Sequence, residues 1–262
     1  MQNLDKLKAK IQSGEPVYGV FVTLSDPCVS EIAGYAGYDF IWLDAEHSPL
    51  NLKDILAHVV AAQSTGASIF VRVPGVNPTT AKAILDMGPD GIIFPFVDSA
   101  QVAELAVKSC LYPPYGIRGQ GPIRAIRYGL DDEGEYIKNS KDKTWKILQI
   151  ENLKGYDNLD EILEVEGMDS LFIGSADLGR SIDLPPEEKT ALLKKIIPDI
   201  INRCHQKGLP CGVASGYAPS DIQDKWNSGA DWFVFSQDVR ILSGAYKANL
   251  EAIKKSVVVA KD

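Results

Sequence analysis

Eight apolar segments of strand length recur along this chain of 262 residues, and the repeat limits the possible folds more than any other feature of the sequence. The segments are rich in Val, Ile and Phe, and in chain order they read VYGVFVTL, DFIWLDA, SIFVRVP, GIIFPFV, WKILQIEN, SLFIGSA, CGVAS and DWFVFSQ. Apolar runs without regular polar alternation are typical of parallel strands covered on both faces. The sequence therefore predicts eight parallel strands.

Helical patterns separate these segments. They include NLKDILAHVVAAQSTG, NPTTAKAILDMG, SAQVAELAVKSC, NLDEILEVEG, PPEEKTALLKKIIPDIINRCHQKG and APSDIQDKWNSG, and most begin and end with residues preferred at helix termini. Eight strand–helix units in about 250 residues match the size of a closed barrel. We predict an α/β protein, a (β/α)8 TIM barrel, with one domain over residues 1–262. The alternative is a doubly wound open sheet, but the first turn, LSDPCVSE, lacks the usual GxGxxG.

A long insertion, residues 110–143, separates the fourth and fifth predicted strands. It is rich in Gly, Tyr, Arg and charged residues, and connections of this length in compact domains tend to be functional. We expect a lid or binding loop, in which Tyr115 and Arg118 select the substrate together with the rim around Ser175. The alternative is an Ω-loop or an oligomer contact.

Charge and composition exclude several classes of function. The net charge of −8, with 27 basic against 35 acidic residues, disfavours a nucleic-acid surface and an anionic membrane surface. No apolar run approaches the roughly 20 residues of a membrane helix, and the first 15 residues lack the apolar core of a signal peptide, so we expect a cytoplasmic protein. The four cysteines form no CxxC pair, and we expect reduced thiols.

Polar residues follow the predicted strands at the carboxyl ends, where barrel enzymes carry their chemistry. In chain order they are Asp44, Glu46, His47, Arg72, Gln149, Glu151, Gly174, Ser175, Asp177, Gln237 and Asp238. None of these ends carries a lysine, and Lys146 lies at the start of the fifth strand, on the closed face. A Schiff-base aldolase needs an amine inside the barrel mouth, so the sequence argues against imine chemistry.

Two carboxylates at adjacent strand ends suggest a metal site. Glu151 and Asp177 follow strands five and six, so a closed barrel brings them to one side of its mouth. Like charges at this spacing are unfavourable without a cation or a proton between them. Oxygen ligands select a hard ion such as Mg²⁺ or Mn²⁺. The alternative is a pair of helix-capping acids.

His47 and Arg72 are the candidates for acid–base and electrostatic chemistry. His47 is the histidine at the catalytic face, because His58 and His205 fall within helical patterns. A histidine there is suited to act as a general base, with a nearby carboxylate orienting its ring, although it could also cap the following helix. Arg72 is suited to an enolate oxygen or a carboxylate, or to a salt bridge.

Several segments, taken in order and spacing, resemble a known enzyme family. They are DFIWLDAEHSPL, VRVPG, DMGPDGIIFPFVDSAQVA, YPPYGIRGQG, LQIEN and FIGSADL. They are similar to the HpcH/HpaI family of metal-dependent class II pyruvate aldolases, over residues 17 to about 240. The DAEH, PPxGxRG and QxE motifs carry the resemblance in combination.

The resemblance implies a role for each matching residue. Glu151 and Asp177 match the ligands of a divalent metal ion, Mg²⁺ or Mn²⁺, with Co²⁺ as a further candidate. His47 matches the catalytic base and Asp44 the partner that tunes it. Arg72 matches the arginine that stabilises the enolate.

Further implied roles concern the substrate and the assembly. Gln149 matches a polar contact in the pocket, and the backbone of Gly174, Ser175 and Ala176 matches the seat of the substrate carboxylate at a helix start. Asp86 matches an acid that enters a neighbouring subunit's site. The implied assembly is a homohexamer, a trimer of dimers, with the last helix exchanged between subunits.

The predicted function is a class II aldolase that cleaves or forms the C3–C4 bond of a 4-hydroxy-2-oxo acid, giving pyruvate or a related 2-oxo acid and an aldehyde. The alternatives are a lyase acting on acyl-CoA thioesters and a catalytically silent barrel. Three departures from the family pattern concern the pocket rim and hence the substrate. They are Ser175 in place of proline, the longer stretch GRSIDLPPEEKT, and SQD at residues 236–238 in place of GSD.

Overall fold

The computed structural model describes residues 2–216 and 218–256. Eight parallel strands form a closed barrel in sequential order, with β1 hydrogen-bonded to both β2 and β8. The strands are β1 Val17–Val22, β2 Phe40–Asp44, β3 Ser68–Arg72, β4 Gly91–Phe94, β5 Trp145–Ile150, β6 Ser170–Ile173, β7 Cys211–Ser215 and β8 Trp232–Gln237. The predicted (β/α)8 barrel is confirmed. The first six strands end one to three residues before the predicted ends, because the chain there leaves the sheet to form the mouth of the barrel.

Twelve α-helices lie in the described part of the chain. They are α1 Gln2–Gln12, α2 Cys28–Tyr35, α3 Leu52–Thr65, α4 Pro78–Leu85, α5 Ala100–Cys110, α6 Glu133–Asn139, α7 Leu153–Asp157, α8 Leu159–Leu163, α9 Ser175–Arg180, α10 Pro186–Gln206, α11 Pro219–Asn227 and α12 Asp238–Ser256. Predicted caps are present, since Asn51 and Asp54 form a capping box and Gly66 ends α3 at a φ of 91°. Among the described residues, no helix has the length and apolar character needed to cross a membrane.

The core has an outer layer between sheet and helices and an inner layer inside the barrel. Large aromatic side chains fill the inner layer, and the ring centroids of Trp42 and Phe172 lie 4.6 Å apart. Leu4 and Leu7 of α1 pack into this inner layer. Because α1 precedes β1, it covers the amino-terminal end of the barrel. A binding site can therefore lie at the carboxyl-terminal end, which α1 does not cover.

A Gly-x-Asp tripeptide precedes every even-numbered strand. The four copies are residues 37–39, 88–90, 167–169 and 229–231, and each glycine has a φ between 73° and 100°. Each aspartate accepts a backbone N–H from the start of the preceding odd strand, at 2.6 to 3.0 Å. Each aspartate N–H also donates to the carbonyl of that same residue. The barrel is thus tied together in four strand pairs at its amino end.

The insertion lies at this amino end as well. It connects the end of α5 to the start of β5, and helices of a barrel return the chain to the amino ends of the strands. The expectation of a lid over the chain's own site is therefore wrong. Arg118 donates from Nη2 to Oδ1 of Asp86 at 2.8 Å, and its guanidinium packs on the ring of Tyr112. Tyr115 and Arg118 cannot line the mouth of their own barrel.

The terminal helix α12 leaves much of its apolar surface uncovered. It packs against β1 and β8 near its start. The exposed apolar residues on it are Val239, Ile241, Leu242, Tyr246, Leu250 and Ile253. Exchange of this helix between subunits stays a prediction, and residues 257–262 lie outside the described part.

Candidate active site

The polar residues singled out from the sequence gather at the carboxyl end of the barrel. Asp44 and Arg72 are the last residues of β2 and β3, and the sheet register pairs them directly. Gln149 lies near the end of β5, where its neighbour across the sheet is Phe172 of β6. Strands β5 and β6 thus place their end residues side by side.

Asp44 and Arg72 form a buried two-point pair. Nε of Arg72 donates to Oδ1 of Asp44 at 3.0 Å, and Nη2 donates to Oδ2 at 2.6 Å. Oδ1 also accepts the backbone N–H groups of Glu46 and His47, at 3.1 and 3.3 Å. Asp44 therefore fixes both the guanidinium and the turn that follows β2.

His47 lies at the mouth with its ring largely exposed. The resemblance implied that Asp44 tunes this ring, but Asp44 contacts His47 through the backbone N–H. The carboxylate that approaches the ring is Glu46, with 3.7 Å between Oε2 and Nε2 of His47. Glu46 also lies 3.0 Å from Nη1 of Arg72. The expected carboxylate neighbour is present, but it is a different residue.

Glu151 is held rigidly in the mouth. Its Oε1 accepts the backbone N–H of Phe96 at 2.7 Å, and its Oε2 accepts Nε2 of Gln149 at 2.6 Å. A Cβ on Gly174 would lie 2.6 Å from Cβ of Glu151 and 2.7 Å from Nε2 of Gln149. The end of β6 can therefore approach this carboxylate only with glycine at position 174.

Burial and neighbouring negative charges disfavour ionisation of this cluster. The pKa of Glu151 is raised to about 7, mainly by burial and also by the charges of Glu46 and Asp177, while the Phe96 amide and Arg72 oppose the increase. Burial also raises the pKa of Glu46, against the opposing effect of Arg72, while Asp44 and Asp177 add to the increase. A bound cation would relieve this repulsion.

The oxygen donors fit a hydrated divalent cation. Oε1 of Gln149 is buried and has no hydrogen-bond partner among the described residues, which leaves an acceptor for a water beside Glu151. Asp177 is about one-third exposed, and its described contact is Arg180 Nη1 at 3.4 Å. The described chain has no group of three His, Cys, Asp or Glu residues placed to hold a metal. Glu151 and Asp177 fit an ion that completes its shell with water and substrate oxygens.

Two residues of this site have no role assigned from the sequence. Phe96, after β4, has a φ of 51° and points its N–H at Glu151. Positive φ is uncommon for a bulky residue and has no reliable sequence signal, although Pro95 indicates a turn. Glu46 is one of the polar strand-end residues of the sequence. Its charge next to the histidine of the DAEH motif is the signal that indicates a role beside His47.

The remaining candidates are spread over both ends of the barrel. Ser175 and Ala176 begin α9 beside Asp177, on the side where the carboxylate seat is predicted. Asp86 follows α4 at the amino end, so it lies outside this chain's own site, and its use in a neighbouring subunit stays a prediction. Lys146 is buried at the amino end, paired with Asp169, which agrees with the exclusion of an imine-forming lysine.

The closed barrel and the acidic cluster at its mouth define an enzyme-like (β/α)8 barrel with a potential oxygen-ligand cation site. A family model described as HpcH/HpaI aldolase/citrate lyase matches residues 17–235. The chain belongs to the HpcH/HpaI aldolase/citrate lyase family, as the sequence motifs predicted. This family is generally dependent on a divalent metal.

Individual relatives agree with this assignment. Hydroxypyruvate/pyruvate aldolase of Pseudomonas aeruginosa is 30% identical over 257 residues, 95% of each protein. The 5-keto-4-deoxy-D-glucarate aldolase of Escherichia coli is 31% identical over 252 residues, which cover 96% of this chain and 97% of that protein. The crystal structure of an HpcH/HpaI aldolase from Desulfitobacterium hafniense has a TM-score of 0.87 and 25% identity, and the match covers 98% of both chains. The prediction of a carbon–carbon lyase is confirmed.

Proposed function

We propose that this enzyme is a class II aldolase that cleaves or forms the C3–C4 bond of a 4-hydroxy-2-oxo acid, with pyruvate or a related 2-oxo acid and an aldehyde as the other reactants. The observation that carries the proposal is the cluster of Glu151, Asp177 and Arg72 at the mouth of the barrel, with His47 at its edge. The relatives named hydroxypyruvate/pyruvate aldolase and 5-keto-4-deoxy-D-glucarate aldolase support this class of reaction.

Each residue has a defined task in cleavage. Glu151 and Asp177 would hold a divalent ion, Mg²⁺ or Mn²⁺, which would supply Lewis-acid polarisation of the keto group. His47 takes the proton of the C4 hydroxyl, and the C3–C4 bond then breaks with its electron pair left on C3. Arg72 stabilises the negative charge that develops on the enolate oxygen. The protonated His47 then gives its proton to C3, which regenerates the base and completes the 2-oxo acid product; the reverse of this step exchanges methyl protons of pyruvate with solvent.

The neighbouring groups hold the substrate and the reactive side chains. Gln149 orients Glu151 through the 2.6 Å hydrogen bond and keeps an oxygen free for a water or a substrate hydroxyl. Asp44 fixes Arg72 through two hydrogen bonds. The backbone N–H groups of Ser175 and Ala176 are suited to the substrate carboxylate.

The decisive experiment follows the entry of solvent deuterium into the methyl group of pyruvate. We expect exchange with Mg²⁺ or Mn²⁺, loss of exchange after exhaustive chelation, and recovery when the metal is restored. Borohydride with pyruvate should leave the activity intact, because no imine forms. Glu151→Gln should lose both the ion and the exchange. Exchange that survives chelation would contradict the mechanism.

Within one subunit, the arginine positions disfavour the acyl-CoA alternative. Arg118, Arg124 and Arg127 belong to the insertion at the amino end, where Arg118 binds Asp86, Arg124 binds the carbonyl of Met87, and Arg127 pairs with Asp131. They cannot provide phosphate contacts at the mouth of the same barrel. Calorimetric titration with a CoA thioester tests this directly, and a silent barrel would show no deuterium exchange.

We further propose a single domain over residues 1–262 that assembles as a homohexamer, a trimer of dimers. The exposed apolar residues of α12 support exchange of this helix, and the position of Asp86 supports its use in a neighbour's site. Light scattering of the full chain gives the number of subunits. Mixing an Asp86→Ala variant with a Glu151→Gln variant should restore some activity if sites are shared.

A further inference from the structure

One oxygen of Glu46 faces both groups that the proposed chemistry uses for proton transfer and charge stabilisation. Oε2 of Glu46 lies 3.0 Å from Nη1 of Arg72 and 3.7 Å from Nε2 of His47. The Glu46 side chain is only 9% exposed, whereas that of His47 is 61% exposed. Packing therefore fixes the carboxylate but not the imidazole.

This oxygen has an unused capacity to accept a hydrogen bond. Oε2 of Glu46 is buried, and no donor of the described residues is aligned with it. Its contact with Arg72 is thus an ion pair without hydrogen-bond alignment. A buried acceptor without a bond is costly, and the nearby imidazole can satisfy it by a small rotation.

Asp44 cannot accept a hydrogen bond from the His47 ring in the same way. Its two oxygens already accept Nε and Nη2 of Arg72, and Oδ1 also accepts the two backbone N–H groups of the turn. Its side chain is fully buried. Among the carboxylates described around His47, Glu46 has an oxygen that accepts no hydrogen bond, and this oxygen lies near the His47 ring.

We propose that Glu46 is a positioning residue that orients the His47 imidazole beside the Arg72 guanidinium through one shared carboxylate oxygen. The inference rests on the proposed aldolase function and adds to it the group that holds its base in place. Glu46 faces Arg72 and His47, and the proposed ligands of the ion are Glu151 and Asp177. Glu46 acts through His47, since Asp44 already fixes Arg72, and it does not touch the reacting atoms.

The first test compares Glu46→Gln with Glu104→Gln, a matched change at an exposed glutamate that pairs with Lys108 on α5. We expect Glu46→Gln to slow deuterium entry into pyruvate by about 10–100-fold, the usual effect of losing a supporting contact, and the control to behave as wild type. The KM for pyruvate and the Kd for Mn²⁺ should stay unchanged within error. Weaker Mn²⁺ binding would assign Glu46 to the metal shell and overturn the proposal, as would an unchanged exchange rate.

Two further measurements separate positioning from a general structural effect. In a His47→Asn background, Glu46→Gln should add almost no further loss, because interacting residues are non-additive. A full additional loss would show that Glu46 acts independently of His47. Crystal structures of wild type and Glu46→Gln should show the imidazole displaced only in the variant, and an unmoved ring would refute the role. If wild type itself fails to exchange deuterium, the aldolase proposal fails, while the crystal comparison still decides the role of Glu46.

Discussion

Asp44 and Arg72 pair across neighbouring strands through two hydrogen bonds, at the level where β2 and β3 end. Both side chains are nearly buried, at 0% and 8% exposure. The two charges therefore neutralise each other inside the mouth, and the planar fork of the guanidinium is fixed in one orientation. This pre-organisation makes Arg72 suited to charge that appears only during the reaction.

Arg72→Lys tests that fixed orientation. A lysine has one point charge and cannot bind both Asp44 oxygens while it also faces the substrate. We expect the rate of pyruvate release from a 4-hydroxy-2-oxo acid to fall by about 10²–10³-fold, with Mn²⁺ binding retained. Lactate dehydrogenase coupling measures the rate, and Arg127→Lys, an exposed arginine at the amino end, serves as control. A wild-type rate would reduce Arg72 to a structural role.

Gly174→Ala tests the close approach of β6 to Glu151. The new Cβ would lie 2.6 Å from Cβ of Glu151, so the carboxylate must shift. We expect a loss of about 1–3 kcal/mol in the free energy of unfolding and weaker Mn²⁺ binding. Gly75→Ala is the control, because a Cβ there meets nothing within 4 Å. Urea unfolding and calorimetry give both quantities, and equal effects of the two changes would contradict this account.

Mn²⁺ affinity should depend on pH through Glu151. The pKa of this carboxyl is raised to about 7, so below that pH the cation competes with a proton. We expect the Kd for Mn²⁺ to rise roughly tenfold per unit as the pH falls below 7, with proton release on binding. Calorimetry in buffers of different ionisation enthalpy measures both. A Kd that stays constant between pH 5.5 and about 8 would speak against Glu151 as a ligand.

His58 should make the protein less stable in mild acid. Burial lowers its pKa below the usual 6.5, and its Nδ1 lies 2.7 Å from Oγ of Ser30. Since the unfolded state then binds a proton more readily than the folded state, stability is lost as the pH falls below 6.5 and is fully present above it. His58→Gln should flatten this part of the profile of Tm against pH. An unchanged slope would show that other groups cause it.

The Gly-x-Asp aspartates should matter for stability and not for catalysis. Asp90 is 3% exposed and accepts the N–H of Ile69 at 3.0 Å, so Asp90→Ala leaves a buried donor without a partner. We expect a loss of about 1–3 kcal/mol in the free energy of unfolding. Asp183→Ala, at an exposed position, is the control. Since Asp90 lies at the amino end, the deuterium exchange rate of the folded variant should match wild type.

The sequence predicted the barrel well because its signals are local and repeated. Apolar runs, Asn51 as a helix cap and Gly66 as a helix end each report on their own segment. The grouping of Asp44, Arg72 and Glu151 at one end followed from the closed-barrel rule alone. What such signals cannot supply is side-chain direction.

The incorrect predictions and the missed residues have this cause, since the sequence does not reveal side-chain direction or long-range contacts. The length of the insertion favours a lid, but its position after a helix places Arg118 at the amino end of the barrel. The resemblance implies that Asp44 tunes His47, whereas side-chain directions place Glu46 next to the His47 ring. The positive φ of Phe96 is a tertiary effect, and so is its hydrogen bond to Glu151. The spacing of residues along the sequence does not predict long-range contacts of this kind.

The four strand pairs of the barrel contribute unequally to the proposed active site. Gln149, Glu151, Gly174 and Asp177 all belong to the pair β5–β6, so one quarter of the molecule carries the whole proposed ion site. Arg72 meets Asp44 across the junction of the first and second quarters, and Phe96 reaches Glu151 across the junction of the second and third. The side chains proposed to hold the ion thus follow a single strand pair, whereas the groups proposed for bond cleavage come from three different pairs.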